Sequence, residues 1–170
     1  NVESACQEVF DTSAEPYVIS LRGLQGIIGA HEWRKKGIEV SDLNARIHPH
    51  YGVFTPIRQE YIKLVAQAPL PELCATESSA FDIGTGTGVL AALLAHRGIQ
   101  NITATDYDER VLNCARENLT QLNYINQVDL QQADVFPEGQ AALIVCNPPW
   151  IPARPSSPMR CGRRWCDAAT

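Results

Sequence analysis

The sequence has little positive charge and no long hydrophobic run. Its 14 lysines and arginines are outnumbered by 19 acidic residues, which gives a formal net charge of -5 at pH 7. Because nucleic-acid binding through a broadly basic surface needs Lys and Arg to neutralise phosphates, a nucleic-acid substrate would require a local patch here. No apolar run approaches the ~18 residues of a membrane span and no signal-peptide pattern occurs, so we expect a cytoplasmic protein without a membrane partner.

Metal-ligand spacing is also missing. The six cysteines form no CxxC pair and no Cys/His pattern suited to zinc, so we expect reduced thiols and no metal site. A chain of 170 residues that is 45% apolar can bury one sizeable core but is short for two ordinary domains. One main domain is therefore expected.

Both ends of the chain are unusual. It opens on Asn1 without an initiator Met, and residues 159–170 show no periodicity. We therefore expect a fragment. In it, residues 1–50 would be an N-terminal extension of mixed structure, residues 51–155 an incomplete main domain, and residues 156–170 a disordered or non-native tail.

From residue 80 onward, short apolar runs alternate with longer helical segments. Strands are predicted at 80–83, 102–105, 128–130 and 141–146, and helices at 89–96 and from Asp108 to about 122. Such alternation is typical of parallel strands joined by crossover helices, so we predict an α/β fold with a Rossmann-like, doubly wound, mostly parallel sheet. The uninterrupted run 141–146 is predicted to be a central strand covered on both faces.

The part before residue 80 is harder to interpret. Residues 17–36 have helix-like apolar spacing, but it is interrupted by glycines, so we predict mixed structure. A helix is predicted after Pro56, with an apolar face made of Ile57, Tyr61, Leu64 and Val65.

Three glycines mark the exit of the strand at 80–83. Gly84, Gly86 and Gly88 stand where the backbone must turn sharply into a helix and approach a ligand closely. Their spacing departs from the G-x-G-x-x-G dinucleotide fingerprint, because Val89 occupies the position of its third glycine. The turn therefore indicates a nucleotide-like cofactor and disfavours NAD and FAD.

Two acidic residues follow the next strands. Asp106 ends its strand about 20 residues after Gly84, where a carboxylate can accept hydrogen bonds from ribose hydroxyls. An adenosine-bearing cofactor fits this position, although an ordinary loop carboxylate gives the same pattern. Asp134, after the third strand, is placed either to accept from an adenine amino group or to cap a helix or turn.

The tetrad Asn147-Pro148-Pro149-Trp150 comes directly after the predicted strand at 141–146. Two prolines fix the backbone at the carboxyl edge of the sheet, where α/β proteins place ligands. The Asn147 side-chain carbonyl and the Pro148 backbone carbonyl can both accept from a planar NH2 group, while Trp150 stacks on its flat face. We predict that these four residues are catalytic; the alternative is a proline turn in which Trp150 is merely packed.

The ordered combination of these motifs resembles the methyltransferase small domain family. The resemblance rests on Asp-Ile-Gly-Thr-Gly-Thr-Gly at 82–88, Thr-Asp-Tyr-Asp at 105–108, Ala-Asp-Val-Phe at 133–136 and the tetrad, and it covers roughly residues 50–155. The family includes ribosomal RNA guanine-N2, release-factor glutamine and adenine-N6 methyltransferases.

The resemblance implies an S-adenosylmethionine-dependent N-methyltransferase that acts on a nucleobase amine or a glutamine side-chain amide. It implies cofactor contacts from Asp82, Gly84, Thr85, Gly86 and Gly88 at the methionine end, from Asp106 at the ribose, and from Tyr107 and Asp134 at the adenine. Residues 51–56 are similar to the family's motif over the cofactor, which makes Phe54, Thr55 and Pro56 candidate contacts; a strand-to-helix turn with a buried Phe is the alternative.

Two other functions stay open. An NAD(P)-dependent oxidoreductase would share the fold but leaves the tetrad unexplained. A non-catalytic cofactor-binding module is favoured by one departure from the family, whose members continue after the tetrad with a helix and several more strands. We therefore expect a truncated sheet with poor or no turnover. A macromolecular substrate is expected, but the sequence does not distinguish RNA, DNA and protein, nor does it predict an oligomeric state.

Overall fold

A computed structural model of the chain describes residues 2–10 and 18–148. Its helices are α1 (Val2–Gln7), α2 (Leu21–Lys36), α3 (Glu60–Gln67), α4 (Leu73–Glu77), α5 (Val89–His96) and α6 (Glu109–Gln121). Its strands are β1 (Ile38–Val40), β2 (Ala45–Ile47), β3 (Ser79–Ile83), β4 (Asn101–Asp106), β5 (Val128–Gln132) and β6 (Leu143–Cys146). The four strands predicted after residue 80 are all present, close to their predicted bounds.

Strands β3 to β6 form one parallel sheet in the order β5-β4-β3-β6. The chain crosses the sheet in one direction from β3 through β4 to β5, and β6 then returns to the other side of β3. The strand order therefore reverses between β3 and β6. Such a reversal opens a crevice at the carboxyl ends of the strands. This is the Rossmann-like, doubly wound α/β architecture that the alternating pattern predicts.

Helix α5 lies in the middle of the core. Its sequence Val-Leu-Ala-Ala-Leu-Leu-Ala-His is apolar on every side, and residues 89–95 are all buried. A helix without a polar face has to be covered all round. Helix α5 accordingly contacts β3 and β4, and also α3 and α6. The helix that follows the glycines is therefore fixed on several sides, which makes the turn before it a rigid part of the fold.

Helix α6 is amphipathic and follows β4. Asp108 caps its first turn, since the side chain accepts from Arg110 N at 2.9 Å. Its buried face is mostly apolar, with Leu112 and Leu119 at most 1% exposed, but it also contains the polar Asn118, which is 2% exposed. A buried carboxamide needs hydrogen-bond partners, so this residue marks a polar junction inside the core.

The N-terminal part contains α1, α2 and a short hairpin. Helix α2 forms despite its three glycines, and Ser20 caps it by accepting from Gly23 N at 3.1 Å. Strands β1 and β2 pair antiparallel, with Ile38 opposite Ile47. Ile27 of α2 is only 1% exposed, so tertiary packing of this helix outweighs the low helix propensity of glycine. Within residues 2–10 and 18–148, no helix is long and apolar enough to cross a membrane.

One expectation about packing is wrong and another is right only in part. Among the described residues β6 pairs with β3 alone and Ile144 is 51% exposed, so within this part of the chain β6 is an edge strand and not the predicted central strand covered on both faces. The helix predicted after Pro56 begins at Glu60, and of its predicted face Tyr61 and Val65 pack against the core. Ile57 and Leu64 are exposed, and Ile62 is buried instead. In both cases the apolar pattern identifies the element but does not specify which other elements cover it.

Candidate functional site

A cavity of about 560 Å³ lies at the carboxyl ends of the strands, beside the reversal of strand order. Small-molecule sites typically measure a few hundred to about 1,000 Å³. Six parts of the chain line it: the segment after β2, the turn after β3, the end of β4, the first turn of α6, the segment after β5 and the end of β6. The cavity therefore brings together residues that are far apart in sequence.

The turn after β3, which we call the glycine turn (residues 84–88), has an open part and a packed part. Gly84 and Gly88 have φ values of +69° and +79°, a region that glycine adopts without strain. A Cβ on Gly84 would meet no heavy atom within 4 Å, whereas a Cβ on Gly88 would lie 3.2 Å from the Ala115 Cβ of α6. Gly84 thus leaves backbone open to a ligand, and Gly88 lets the turn pack tightly on α6.

Asp82 supports the glycine turn from beneath. It is 1% exposed, and its Oδ2 accepts from Thr85 Oγ1 at 2.7 Å and from Ala91 N at 3.0 Å. Its Oδ1 is buried and has no hydrogen-bond partner among the described residues. Burial raises the pKa of Asp82 to about 6, although the hydrogen bonds from Thr85 and Ala91 act in the opposite direction. Asp82 therefore shapes the turn and places negative charge behind it.

Tyr61 on α3 is a polar group that the sequence analysis treated only as part of an apolar helix face. Its hydroxyl is buried without a hydrogen-bond partner in the described part of the chain. Burial, and after it the negative charge of Asp82, raises the pKa of Tyr61 to about 12. The buried side chains of Tyr61 on α3 and Asp82 on β3 therefore interact electrostatically. The apolar periodicity of α3 does not predict this interaction.

Asp106 joins the end of β4 to the glycine turn. Its Oδ2 accepts from Gly86 N and its Oδ1 from Asp108 N, both at 3.3 Å. Burial raises the pKa of Asp106, and these backbone hydrogen bonds partly offset the effect. The residue also lines the cavity. Because a carboxylate oxygen can accept more than one hydrogen bond, Asp106 can accept from a ligand as well.

Thr105 is a buried bridge that the sequence analysis missed. Its backbone O accepts from Thr85 N at 2.8 Å, and its Oγ1 donates to Val135 O at 2.8 Å. Val135 has a φ of +98°, which β-branched residues rarely adopt, and the hydrogen bond from Thr105 helps to hold it there. Thr105 thus connects the glycine turn to the segment after β5. The sequence signal that could have identified Thr105 is its position at the carboxyl end of a predicted strand.

Strand β6 brings Asn147 and Pro148 to the same cavity. In the parallel register Cys146 pairs with Ile83, so the residues after β6 emerge beside the glycine turn. Pro149 and Trp150, the other two residues of the predicted catalytic tetrad, lie outside the described residues. Cys146 also lines the cavity and was not predicted.

Eight of the predicted site residues line the cavity: Phe54, Gly84, Gly86, Asp106, Tyr107, Asp134, Asn147 and Pro148. Five others do not: Asp82, Thr85 and Gly88 form or support the turn, and Thr55, which donates to Val53 O at 3.4 Å, and Pro56 lie beside Phe54. Their roles as ligand contacts stay predictions. Among the residues that the structure describes, no group of three or more His, Cys, Asp or Glu is arranged to hold a metal ion.

The chain is similar to known proteins over its main domain. The methyltransferase small domain family matches residues 44–159, more than half of the chain. The tRNA1(Val) (adenine(37)-N6)-methyltransferase of Vibrio campbellii is 36% identical over 82 residues, which cover 46% of this chain and 34% of that protein. The release factor glutamine methyltransferase of Streptococcus pneumoniae is 37% identical over 99 residues, which cover 56% of this chain and 33% of that protein.

These matches span about one third of the length of each relative. A solved structure, of human methyltransferase 10 domain containing protein, is 22% identical, covers 72% of this chain and 60% of that chain, and has a TM-score of 0.48. A likeness this distant carries no inference about function.

Proposed function

Because the chain belongs to the methyltransferase small domain family, we propose that it binds S-adenosylmethionine in the cavity and transfers the methyl group to a planar amino nitrogen held by Asn147 and Pro148. One observation carries the proposal: the glycine turn and Asp106 line the same 560 Å³ cavity as Asn147 and Pro148. A cofactor-binding edge and a pair of amino-group acceptors therefore meet in one place. Family membership favours methyl transfer over the NAD(P)-dependent oxidation that the fold also allows.

The residues of the cavity fit the cofactor. The open backbone at Gly84 allows close approach of a ligand, as a nucleotide-bearing cofactor needs. Asp106 offers carboxylate oxygens for the ribose hydroxyls, and Asp134, an exposed carboxylate at the rim, for the adenine amino group. The buried charge of Asp82 behind the turn favours a cationic group in front of it. Tyr107 lines the cavity, is 73% exposed and would flank the adenine.

The work left to the protein is positioning. When bound, S-adenosylmethionine supplies a methyl group already activated on a sulfonium sulfur. The target nitrogen of an amide or nucleobase is weakly basic, because its lone pair is delocalised. The carbonyls of Asn147 and Pro148 accept from its two N–H groups and so favour the positive charge that develops on it. Pro149 would keep this edge rigid and Trp150 would stack on the flat target.

The substrate is proposed to be a macromolecule that carries either a nucleobase amine or a glutamine amide. The chemistry of the two carbonyl acceptors suits both groups. The relatives support the same pair, since one is named for adenine-N6 and the other for glutamine methylation. RNA, DNA and protein are accordingly the substrates to compare.

Calorimetric titration tests the cofactor. We expect the protein to bind S-adenosylmethionine and S-adenosylhomocysteine, and not NADH, which is the matched control because it also carries adenosine. Incubation with methyl-labelled cofactor and bulk RNA, DNA or protein in parallel then identifies the substrate class. Tighter binding of NADH would contradict the proposed cofactor. Cofactor binding without label transfer to any substrate would indicate a non-catalytic binding module.

A further inference from the structure

We propose that Asn118 of α6 is a positioning residue that holds two separate walls of the cavity in register. One wall is the glycine turn. The other is the wall segment, defined as residues 48–54, whose last three residues line the cavity. Asn118 does not line the cavity itself and acts through the backbone of these two segments. This register is the relative position of the two walls. Its importance for methyl transfer rests on the proposed function, but the register itself does not.

Asn118 makes its contacts with backbone groups from both segments. Its Oδ1 accepts from His48 N at 2.8 Å. Its Nδ2 donates to Thr87 O of the glycine turn at 3.0 Å, and its second hydrogen is shared between His48 O and Cys114 O of α6, both at 3.2 Å. The side chain is 2% exposed, so these bonds form away from water. One carboxamide therefore links the wall segment, the glycine turn and α6.

The chemistry of this junction requires an asparagine. His48 N is a donor and needs an acceptor, whereas Thr87 O and His48 O are acceptors and need donors. A carboxamide provides both functions on one short side chain. An aspartate would place carboxylate oxygens against two carbonyl oxygens. A leucine would remove the partner of His48 N and of Thr87 O, and would leave Cys114 Sγ, at 3.6 Å, as the remaining donor to His48 O. The geometry thus also fixes which way the amide points.

Neighbouring contacts on α6 extend the same junction. Cys114 Sγ accepts from His50 N at 3.4 Å, and Glu117 Oε2 lies 2.7 Å from His50 Nε2. From there the chain turns into the cavity wall, where Val53 N donates to His50 O at 3.1 Å. On the other side, Gly88 packs directly against α6. The position of the wall segment is therefore set from α6, at His48 by Asn118 and at His50 by Cys114 and Glu117.

Hydrogen exchange measures this register without any ligand. The reporters are the amides of Val53 and Gly88, which donate to His50 O and Thr85 O respectively. In Asn118→Leu we expect both amides to exchange at least about tenfold faster than in the wild type, because buried backbone partners are left unsatisfied. Gln121→Ala is the matched control. Gln121 lies on α6 and contacts the half-buried His48 ring at 3.3 Å, and among the described residues it makes no hydrogen bond to the glycine turn.

Asn118→Asp provides a variant whose defect can be reversed. A protonated carboxyl can accept from His48 N and donate to one carbonyl, whereas the ionised form cannot donate. The protection of Val53 and Gly88, corrected for intrinsic exchange, should therefore be closer to wild type at pH 5 than at pH 8. Other titratable groups around the junction are shared with the wild type and cancel in the comparison: His48, His50, Cys114, Glu117 and Arg34.

Titration with S-adenosylhomocysteine separates this inference from the proposed function. If the wild type binds it, both Asn118 variants should bind at least about tenfold more weakly at pH 8, with Gln121→Ala unchanged. If the wild type does not bind it but both amides lose protection in the variants, the register stands and the proposed cofactor falls. The inference is overturned if Val53 and Gly88 keep wild-type protection in the variants, or if only one of the two amides responds.

Discussion

Replacing Asp82 with Asn should favour the folded state increasingly as the pH rises. Folding raises the pKa of Asp82 from 3.8 to about 6, because the carboxyl is 1% exposed. The stability associated with its proton is therefore fully present below pH 3.8 and is lost as the pH rises through about 6. At about 1.4 kcal/mol per pKa unit, ionised Asp82 costs the folded state about 3 kcal/mol above that range.

The asparagine variant keeps the acceptors and removes the titration. Its amide oxygen can accept from Thr85 Oγ1 and Ala91 N, as Asp82 Oδ2 does. Its NH2 group replaces Oδ1, which has no partner among the described residues, so a buried donor is left unsatisfied at a cost of about 1–3 kcal/mol. This cost does not depend on pH. The decisive quantity is therefore the change with pH, not the sign at one pH.

Urea unfolding of both proteins from pH 4 to pH 8 measures this change. The free energy of unfolding of the variant minus that of the wild type should increase by roughly 2.5 kcal/mol across the range, mostly between pH 4 and pH 6. Subtracting the wild-type value removes the contribution of the other carboxylates, because the two proteins share them. A difference that stays flat within about 0.5 kcal/mol would show that Asp82 does not titrate as a buried acid, and the argument would fail.

The same residue should couple cofactor binding to pH. A cation in front of the glycine turn favours ionised Asp82, so wild-type affinity for S-adenosylmethionine should rise as the pH passes through about 6. In Asp82→Asn the affinity should be weaker at pH 8 and should lose this dependence. Calorimetry at pH 5 and pH 8 decides the point; the same pH dependence in both proteins would assign it to another group.

Three further substitutions test other parts of the site. Thr105→Val keeps the side-chain shape but removes the hydrogen bond to Val135 O, so urea unfolding should show a loss of about 1 kcal/mol; no loss would mean that the bridge is unimportant. Gly88→Ala should lower the stability more than Gly84→Ala, because only a Cβ at residue 88 meets α6. Gly84→Ala should instead cause the larger loss of cofactor affinity. The opposite order in thermal unfolding and calorimetry would contradict the two roles. Asn147→Ala should lower kcat far more than it weakens cofactor binding, and equal losses would count against a role in the transition state.

The local part of this architecture could be predicted from sequence. A glycine-rich turn after a buried strand and an acid after the next strand are signals within single segments, and parallel strands bring their carboxyl ends to one edge. That is why Gly84, Asp106 and Asn147 meet in one cavity as expected. The sequence pattern could not tell that Asp82 supports the turn from beneath, because burial depends on what packs against a strand.

The long-range contacts of this architecture could not be predicted from the sequence, for the same reason. Asn118 is separated from His48 by 70 residues, and Thr105 from Val135 by 30, so no window of sequence contains either pair. A buried Asn or Thr also carries no composition signal of its own. The exposure of Ile144 is a further case, since an apolar run looks the same at the edge of a sheet and at its centre.

The reversal of strand order also has a consequence for the order in which the molecule assembles. β3 and β4 are close in sequence. The hydrogen bond from Gln100 N to Ser78 Oγ, at the start of the two strands, joins residues 22 positions apart. The corresponding bond where β6 meets β3, from Ala142 N to Ser79 Oγ, spans 63. Closing the longer loop costs more entropy and belongs to the slower part of folding. The cavity is then completed only when β6 docks, so a bound cofactor should retard unfolding more than it accelerates the first strand pairing.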